Sequence, residues 1–326
     1  DLARLDFMKS IDAISTLKFR ASYGSLGNNG TVDDVFFYSS GINNYEYQTL
    51  YSSANYILNN QLYVGFAQTG LSNSLLTWES TNVLNLGLDF DLLNYKLSGS
   101  VDVFDKTTNN ILINLPAPMV VGDASIPRTN AAKVRNRGIE TNLAYRGQIG
   151  ENFKFNVSGN FTFIDNKVIK FKGEDRSISG ANLLQEGNAI NTQFILKADR
   201  IIQTDADLQL VEDMIKNAPI NPETNQQVNP FAAYGKPEKG DILYVDTNND
   251  GIINDLDRVA MGHGTAPRIT YGFNLGFDYL GFDFNVFLQG SAGNKLVYTD
   301  LHYTPTVRWG YQLNQEIIDG RWTEGR

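Results

Sequence analysis

The sequence predicts an all-β fold in which antiparallel strands build the wall of a transmembrane β-barrel. Three observations support this prediction: strict alternation of apolar and polar residues, aromatic residues beside the tight turns, and an alternation of short with long connections. A side-chain period of two is the pattern of a strand whose two faces meet different surroundings. A water-soluble β-sandwich shows the same period, so the aromatic positions and the connection lengths decide between the two folds.

The first predicted strand is LKFRASY (17–23), and the first predicted hairpin joins LNLGLDFD (84–91) to YKLSGSVDVF (95–104). In LNLGLDFD, leucine and phenylalanine take one face, whereas asparagine, glycine and aspartate take the other. The residues from Leu92 to Asn94 are predicted to form the turn. Each arm therefore has one apolar and one polar face, as a barrel strand requires.

Two further hairpins repeat this pattern. The segment GIETNLAY (138–145) is joined by RGQIGEN to FKFNVSGNFTF (153–163), in which phenylalanine, valine and glycine alternate with polar residues. The segments ITYGFNLGFDY (269–279) and FDFNVFLQG (282–290) are separated only by a leucine and a glycine. Such short connections predict tight hairpins.

Several aromatic residues share the apolar parity and flank these tight turns. They are Phe90, Tyr95, Tyr145, Phe153, Tyr279 and Phe282. Aromatic residues at one level of the outward face are typical of a barrel at a membrane interface, and a sandwich core has no reason to collect them there. The other connections are long, from Phe104 to Ile139 and from Phe163 to Ile269. Because outer-membrane barrels combine short periplasmic turns with long extracellular loops, we expect residues 164–268 to form an extracellular loop region.

Composition narrows the function classes. The 326 residues carry a net charge of −9, no cysteine and 2 histidines. The acidic balance argues against a nucleic-acid partner, and the scarcity of histidine and cysteine argues against a zinc site or a catalytic triad. The sequence shows no apolar run long enough for a membrane helix and no signal peptide. Because the chain begins with Asp1, we expect it to be a piece of a longer protein.

The segment YVDTNNDGIINDLDRVAMG (244–262) has the spacing of a calcium-binding loop. The predicted ligands are the side chains of Asp246, Asn248, Asp250 and Asp257 and the backbone carbonyl of Ile252. These are the positions from which a calcium loop supplies its oxygen ligands, and Gly251 takes the sharp turn between them. The last ligand is an aspartate, which is shorter than the usual glutamate. A turn without an ion remains the alternative, since asparagine and aspartate also hydrogen-bond their own backbone.

The flanks of this loop contain glycine and proline where an EF-hand has helices, so the loop is predicted to connect strands on the outer side of the barrel. In the same region, DADLQLVEDMIKNA (205–218) has helical spacing and is predicted to form a short surface helix. Adjacent acids such as Glu174 and Asp175 point apart in a strand or turn, and we expect no enzyme. Aromatic residues near the end of the chain could stack on sugar rings or could be ordinary surface aromatics. They are Tyr303, Trp309, Tyr311 and Trp322.

Several blocks of the sequence, taken in order, resemble the later barrel region of the SusC/RagA family of TonB-dependent outer-membrane transporters. The blocks are LKFRASYGSLGNNG, LTWESTNVLNLGLDFDLLNYKLSGSVDVFDKTTNNIL, KVRNRGIETNLAY, GDILYVDTNNDGIINDLDRVAMG and PRITYGFNLGFDYLGFDFNVFLQGSAGN. The resemblance covers nearly the whole chain and is weakest over 182–235. It implies that residues 1–326 are the C-terminal part of a plugged barrel of roughly 22 strands, without the plug domain and the final strands.

The resemblance also implies a function. Members of this family import nutrients across the outer membrane of Gram-negative bacteria with energy delivered through TonB, which contacts an N-terminal region that this sequence lacks. A SusD-like surface lipoprotein caps the outer mouth and helps to capture glycans or peptides. The loop before the pair Asp257 and Arg258 is similar to the acidic loop of the family, so calcium is expected as a structural ion.

A second hypothesis is a calcium-stabilised extracellular binding or adhesion module, built as a soluble β-sandwich. This hypothesis predicts that the apolar faces are buried inside the protein and that no aromatic girdle exists. The barrel hypothesis instead makes outer-membrane lipid a partner of the apolar faces. The surroundings of the apolar faces therefore discriminate between the two hypotheses.

Overall fold

The computed structural model describes residues 11–29, 31–32, 39–40, 45–113, 115, 127–173, 175–297 and 315–323. The chain divides into two compact units. The first comprises Asp1–Thr192 and His263–Asn294, and the second comprises Gln193–Gly262 and Lys295–Arg326. Within the described residues, no helix is both long enough and apolar enough to cross a membrane.

The structure consists mainly of β-strands, which include the alternating segments of the sequence. In chain order the strands are β1 (Ile14–Asn28), β2 (Thr31–Val32), β3 (Ser39–Ser40), β4 (Leu50–Leu58), β5 (Gln61–Gly70), β6 (Glu79–Leu92), β7 (Leu97–Ile113), β8 (Thr129–Ile149), β9 (Phe153–Phe171), β10 (Ser177–Ser179), β11 (Asn182–Leu184), β12 (Thr192–Leu196), β13 (Ala198–Ile201), β14 (Ile242–Tyr244), β15 (Arg258–Met261), β16 (Ile269–Tyr279) and β17 (Phe282–Ala292). In the described residues, the helices are α1 (Asp205–Asn217) and α2 (Gln315–Gly320), and a 3-10 turn spans Asp255–Asp257. The all-β prediction is confirmed.

The long strands of the first unit form one antiparallel sheet of seven strands in the order β1-β6-β7-β8-β9-β16-β17. The three predicted hairpins are confirmed as β6–β7, β8–β9 and β16–β17. Strand β16 has the bounds predicted from the sequence. Strand β16 pairs with β9, although a long connection separates the two strands along the chain. After this connection the chain therefore rejoins the sheet beside β9.

The register places like residues opposite each other on both faces of this sheet. Val157 pairs with Leu275, and their neighbours Ser158 and Asn274 pair with each other on the opposite face. The apolar face carries Leu17, Phe19, Leu86, Leu88, Phe90, Val101, Val103, Ile139, Leu143, Phe155, Phe161, Phe163, Phe273, Phe277, Phe284 and Leu288. The polar face carries Lys18, Arg20, Asp89, Ser98, Ser100, Asp102, Asn142, Asn156, Asn160, Thr162 and Asn285. The two faces predicted from the alternation are confirmed.

Aromatic side chains on the apolar face contact one another beside the tight turns. Phe153 stacks on Phe277 with ring centroids 5.7 Å apart and lies 6.2 Å from the ring of Tyr279. Phe277 stacks in turn on Phe284 at 5.0 Å. The prediction was wrong for Tyr95, which has a φ of 63° and lies in the turn before β7 and not in the strand. The turn is longer than predicted because three successive residues adopt the left-handed conformation.

Several strands continue beyond the ends that the alternation predicted. Strand β7 continues past Phe104 to Ile113, and β8 begins at Thr129, well before Gly138. The long connection predicted from Phe104 to Ile139 is therefore shorter than expected. The reason is that residues 105–110 are polar on both faces, so the alternation of β7 stops there. On β8, Ala132 and Val134 place the apolar residues of the extension on the opposite face.

The exchange of polarity is clearest on β8 and β9. Between the tight turn and residues Ile139 and Phe163, apolar side chains take one face of these strands. Farther along, Val134 and Val168 lie on the opposite face and are at most 3% exposed. They belong to a buried cluster that consists of Ile111, Ile113, Ala131, Ala132, Val134, Val168, Phe171 and Leu184. The same strands thus carry apolar residues on one face near the tight turns and bury apolar residues on the other face farther along.

A row of charged residues, which we call the charged row, marks the position of this exchange. Arg135 and Arg137 on β8 both form ion pairs with Asp105 on β7. Arg268, just before β16, donates from Nη2 to Oδ1 of Asp165 on β9 at 2.7 Å. In the period-two pattern, Asp105, Arg137 and Asp165 occupy the next positions of the apolar face, directly after its last apolar residues. The charged row is therefore the boundary of that face.

Glycine lies opposite an aromatic residue at several places in the sheet. The pairs are Phe90 with Gly99, Phe104 with Gly138, Phe155 with Gly147, and Tyr271 with Gly290. A Cβ added at Gly138 would lie 2.5 Å from Cζ of Phe104 and 2.4 Å from the carbonyl oxygen of Phe163. The ring of Phe104 therefore occupies the space that a larger residue at Gly138 would need, and it covers the glycine backbone.

Strands β4 and β5, which lie between β1 and β6 along the chain, form a separate hairpin that was not predicted from the sequence. Its turn is Asn59-Asn60, with φ values of 50° and 61°. A two-residue hairpin turn with both residues left-handed favours asparagine. Serine and asparagine interrupt the apolar residues of Leu50–Leu58, so no sustained alternation is visible in that strand.

In the second unit, α1 confirms the predicted surface helix. The side chain of Thr204 accepts a hydrogen bond from the backbone N–H of Asp207, and the carboxylate of Asp207 accepts one from the N–H of Thr204 at 2.9 Å. The hydrogen bonds from Thr204 lower the pKa of Asp207 to about 2. A buried cluster packs beneath the helix and consists of Ile202, Val211, Phe231, Leu243 and Ile253. Local capping and this cluster together hold the helix in place.

We predict that Gly138→Ala destabilises the sheet and that Gly24→Ala does not. The methyl group added at Gly138 would overlap Phe104 and the carbonyl of Phe163, and such overpacking costs about 1–3 kcal/mol. Gly24 lies on the same face of the sheet, and a Cβ there would have no heavy atom within 4 Å. Unfolding midpoints in urea measure the difference between the two variants, and equal midpoints would contradict the packing described above.

Candidate functional site

A cluster of one arginine and two aspartates lies on the polar face of the sheet. Arg20 on β1 donates from Nε and Nη2 to Oδ2 and Oδ1 of Asp89 on β6, both at 2.8 Å. Its Nη2 also donates to Oδ2 of Asp102 on β7 at 2.9 Å. A planar guanidinium suits such a paired contact with a carboxylate. The single side chain of Arg20 therefore links three neighbouring strands.

Gly87 makes this link possible. It lies between Arg20 and Asp102 in the register and pairs with both residues. A Cβ at Gly87 would lie 2.7 Å from Cζ of Arg20 and 2.5 Å from Oδ1 of Asp102. The absence of a side chain at Gly87 lets Arg20 cross β6 and reach a strand that is not its direct neighbour.

The cluster retains one acceptor that is not used. Within the described residues, Oδ1 of Asp102 is buried and has no hydrogen-bond partner. One guanidinium faces two carboxylates, so the cluster carries a net negative charge. An open depression of about 490 Å³ includes Asp89 and is lined by serine and asparagine residues of the polar face. This part of the polar face can therefore accept hydrogen bonds from cationic or hydroxyl-bearing groups.

The predicted calcium ligands lie together in one loop of the second unit. The carboxylate of Asp246 accepts hydrogen bonds from the backbone N–H of Asp250 at 3.2 Å and from that of Gly251 at 2.8 Å. The side chain of Asn248 accepts from the N–H of Asp250 at 3.0 Å and donates to its carboxylate at 2.9 Å. Gly251 has a φ of 79°, so it takes the sharp turn that the sequence indicated. The N–H of Ile252 donates to Oδ1 of Asp250 at 2.8 Å.

Asp257 has a structural role that the sequence did not indicate. Its side chain is 0% exposed, Oδ1 accepts from the N–H of Thr247 at 2.8 Å, and Oδ2 accepts from the N–H of Asn254 at 2.9 Å. It therefore ties the first part of the loop to the last part and caps the 3-10 turn. Spacing along the sequence identifies a carboxylate, but it does not identify the backbone donors that the fold brings to it.

The whole 244–262 loop lies within the described residues. Across the residues that the structure describes, no three or more acidic or histidine side chains are grouped as a metal site would require. The predicted ligand set is of another kind, because it combines carboxylates with an amide and a backbone carbonyl. The calcium ion stays a prediction.

The pair formed by Asp257 and Arg258 holds the loop from two sides. Arg258 contacts Oδ1 of Asp255 at 2.9 Å, and the hydroxyl of Tyr234 donates to the same oxygen at 2.5 Å. The hydrogen bond from Tyr234, supported by the charge of Arg258, lowers the pKa of Asp255. The same hydrogen bond raises the pKa of Tyr234. Asp257 thus fixes the loop from within, and Arg258 fixes it at the surface.

Aromatic residues in the second unit lie near a cavity. The rings of Tyr234 and Tyr244 are 6.4 Å apart beside a cavity of about 490 Å³. Trp322 packs against Gly240, where a Cβ would lie 3.0 Å from the indole ring. The sequence does not indicate the two tyrosines, because nothing in their spacing brings them together. Four residues that the sequence singled out lie outside the described residues, namely Glu174, Tyr303, Trp309 and Tyr311.

Comparisons with known proteins agree with this architecture. Residues 9–199 match the family model described as "TonB dependent receptor-like, beta-barrel". TonB-dependent receptor P39 of Formosa agariphila is 32% identical over 97% of this chain and 30% of its own length. TonB-dependent receptor SusC of Bacteroides thetaiotaomicron is 24% identical over 90% of this chain and 26% of its own length. The chain therefore spans about 30% of the curated relatives that it matches.

Solved structures show the same fold. The RagAB peptide importer in its open-open state superimposes with a TM-score of 0.68 at 22% identity, over 98% of this chain and 31% of that one. An antiparallel sheet with one apolar face, together with this similarity, defines the class as a β-barrel protein. The chain belongs to the family of TonB-dependent receptor-like β-barrels. The resemblance to the SusC/RagA family found in the sequence is confirmed.

We predict that Gly87→Ala weakens the polar cluster because the new methyl group displaces either Arg20 or Asp102. The cost should be about 1–3 kcal/mol in the complete receptor, as expected for overpacking. In an Asp102→Ala background the methyl group has more room, so the same change should cost measurably less. Urea unfolding of the single and double variants measures this coupling. Strictly additive effects would show that Gly87 and Asp102 act independently.

Proposed function

We propose that the complete protein imports a nutrient across the outer membrane of a Gram-negative bacterium and performs no covalent chemistry. The observation that carries this proposal is the exchange of polarity along β8 and β9 at the charged row. A strand whose outer face is apolar over one stretch and charged beyond it fits a wall that passes from lipid into water. The polar face, with the Arg20 cluster, then faces the interior of the barrel.

The height of the apolar face supports the proposal. On β9 this face extends from Phe153 to Phe163 and ends at Asp165. Ten residue steps of about 3.3 Å, tilted by about 40°, rise by about 25 Å. Outer-membrane barrels have an apolar band of about 25 Å. The apolar face therefore has the height that the hydrocarbon layer requires.

The relatives support the mode of import. The curated relatives are named TonB-dependent receptors, and similar solved structures are described as the RagAB peptide transporter or importer. By analogy, import through this protein uses energy delivered by TonB, which contacts residues outside this chain. A SusD-like surface lipoprotein covers the outer opening, and the substrate is a glycan or a peptide. The long connections at the charged end of the strands are the parts that face this lipoprotein.

The alternative of a soluble β-sandwich fits the geometry less well. A sandwich would bury the apolar face of its sheet against a second sheet. In the described part of the first unit, Phe284 and Leu288 on this face remain 48% and 58% exposed, and Phe161 remains 39% exposed. A large open patch of this kind marks a surface that contacts a partner or a membrane. Lipid provides that contact along the whole sheet.

We also propose that the 246–257 loop binds a calcium ion with a structural role. The spacing of the sequence and the convergence of Asp246, Asn248 and Asp250 around Gly251 support this proposal. The ion would rigidify a loop that Asp257 already ties together, and it would take no part in chemistry. Calcium sites in extracellular modules bind with dissociation constants of about 0.1–1 mM, which suffices on the outer side of the membrane.

Arginine substitutions on the two faces of the sheet test the orientation in the membrane. Val157→Arg and Leu275→Arg each place a charge near the middle of the apolar face, and each should cost about 2–4 kcal/mol. Ser158→Arg and Asn274→Arg, at the paired positions on the polar face, should cost far less. Folding into lipid vesicles, followed by urea titration, measures the four variants. Equal costs on both faces would exclude lipid as the surroundings of the apolar face.

The mode of import is tested by deletion. Removing the partner lipoprotein or the TonB system should abolish growth on the cognate nutrient, because capture and energy are both lost. Immunoblots of the outer-membrane fraction should show an unchanged amount of the receptor, and restoring the deleted gene should restore growth. Undiminished uptake in either deletion strain would indicate a passive porin.

The calcium proposal is tested by limited proteolysis of residues 240–262. Calcium at about 1 mM should slow cleavage of the wild-type loop, and Asp246→Asn should remove this protection. Asp257→Asn should loosen the loop with and without calcium, because an amide NH2 replaces one of the two oxygens that accept from the N–H groups of Thr247 and Asn254. Identical cleavage of the wild type in calcium and in chelator would leave the turn without an ion.

A further inference from the structure

Like charges lie directly opposite each other twice on β8 and β9. Arg135 pairs with Lys167, and Lys133 pairs with Lys170 because the register shifts by one residue at this point. Arg137 precedes the apolar residues on the same face of β8. We call these five side chains the basic patch. They lie on the face of the sheet that is apolar nearer the tight turns, at and just beyond the charged row.

The nearby carboxylates are already used. Asp105 forms ion pairs with both Arg135 and Arg137. Asp165, which lies opposite Arg137 in the register, accepts from Nη2 of Arg268 at 2.7 Å. The two aspartates therefore neutralise part of the arginine charge and hold the guanidinium groups in place. They leave the charge of the lysines unmatched.

The described residues provide no ion-pair partner for the three lysines of the basic patch. Among the residues that the structure describes, no carboxylate forms an ion pair with Lys133, Lys167 or Lys170. Lys167 and Lys170 are exposed and Lys133 is half-buried, so all three are near the surface. Like charges at directly opposed positions destabilise an antiparallel pair. Two such pairs in close succession are therefore unfavourable unless an anion lies beside them.

The position of the basic patch identifies the kind of anion. Ile139 and Phe163 are the last apolar residues of the lipid-facing surface, and the patch begins at the next position on that surface. A ligand bound there contacts the apolar face with one end and the basic side chains with the other. A lipid with acyl chains and a phosphate headgroup matches both parts, whereas a free phosphate ion gains nothing from the apolar face.

We propose that the basic patch binds the phosphorylated headgroup of a lipid in the outer leaflet. The inference rests on the proposed outer-membrane location and adds one defined lipid contact to it. Arg135 and Arg137, held by Asp105, direct charged N–H groups towards the phosphate oxygens, and the lysines supply further charge. The bound phosphate offsets the repulsion between the opposed basic side chains and fixes the height of β8 and β9 at the membrane surface.

Native mass spectrometry of the complete receptor in a mild non-ionic detergent tests this proposal. The probe is dioleoyl phosphatidic acid, with dioleoyl phosphatidylcholine as the lipid that has the same acyl chains and no net charge. The variant carries Lys133→Gln, Lys167→Gln and Lys170→Gln. Each lysine near an anionic surface contributes about fivefold to binding, so the variant should bind phosphatidic acid about a hundredfold more weakly. Binding of phosphatidylcholine should be weak and unchanged.

A matched control carries three glutamines on the opposite face of the same sheet, with Lys18→Gln, Lys106→Gln and Lys154→Gln. It should retain the affinity of the wild type for phosphatidic acid. Heat-dependent migration in electrophoresis verifies that both variants are folded. Equal affinities of the two variants would overturn the proposal, and so would displacement of the lipid by millimolar inorganic phosphate, which would assign the patch to the free ion.

The lipid proposal and the proposed function can fail independently of each other. Membrane fractionation of the wild type tests the outer-membrane location independently of any lipid measurement. A receptor that lies in the outer membrane but binds phosphatidic acid without the basic patch refutes only the lipid site. A receptor that depends on the patch for binding in detergent but is absent from the outer-membrane fraction refutes the proposed function and leaves the phosphate contact standing.

Discussion

A strand surrounded by hydrocarbon has no water to bond to, so each of its backbone N–H and C=O groups must pair with a neighbouring strand. The inner strands of the seven-stranded sheet pair along both edges and meet this condition, which leaves them one means of adapting to their surroundings, namely the residue on each face. The register places residues of the same kind opposite each other on neighbouring strands, because Val157 pairs with Leu275 and Ser158 pairs with Asn274. A shift of one residue would exchange the faces of a whole strand. The alternation of the sequence and the pairing of the strands are therefore one constraint.

This constraint explains how much of the fold could be predicted. Alternation identified the hairpins and the faces, and it identified the bounds of β16, because the surroundings of that strand stay the same along its length. It failed to identify the ends of β7 and β8, where the surroundings change. Val134 and Val168 are buried on the face that is polar nearer the turns. A search for a single apolar face stops at this exchange, although the strand and its backbone pairing continue.

Contacts between residues on different strands could not be predicted from the sequence, for a different reason. Gly87 looks like an ordinary strand glycine until the register places it between Arg20 and Asp102. Gly138 is likewise explained only by its neighbours on the adjacent strands, the ring of Phe104 and the carbonyl oxygen of Phe163. The pattern along one strand predicts which face a residue takes. The space available to that residue depends on the facing strands, and this requires the register.

Asp257 in the second unit and the basic patch in the first unit differ in whether the fold itself provides partners for the charge. In the 246–257 loop, Asp257 is buried, and backbone N–H groups of the same loop satisfy its two oxygens, so its conformation requires no ligand. In the basic patch, Lys133 and Lys170 face each other, and the described residues provide no carboxylate between them. A buried charge with its partners built in is part of the fold. An opposed pair of lysines without such a partner is not explained by the described part of the fold, and the proposed lipid headgroup would supply the missing charge.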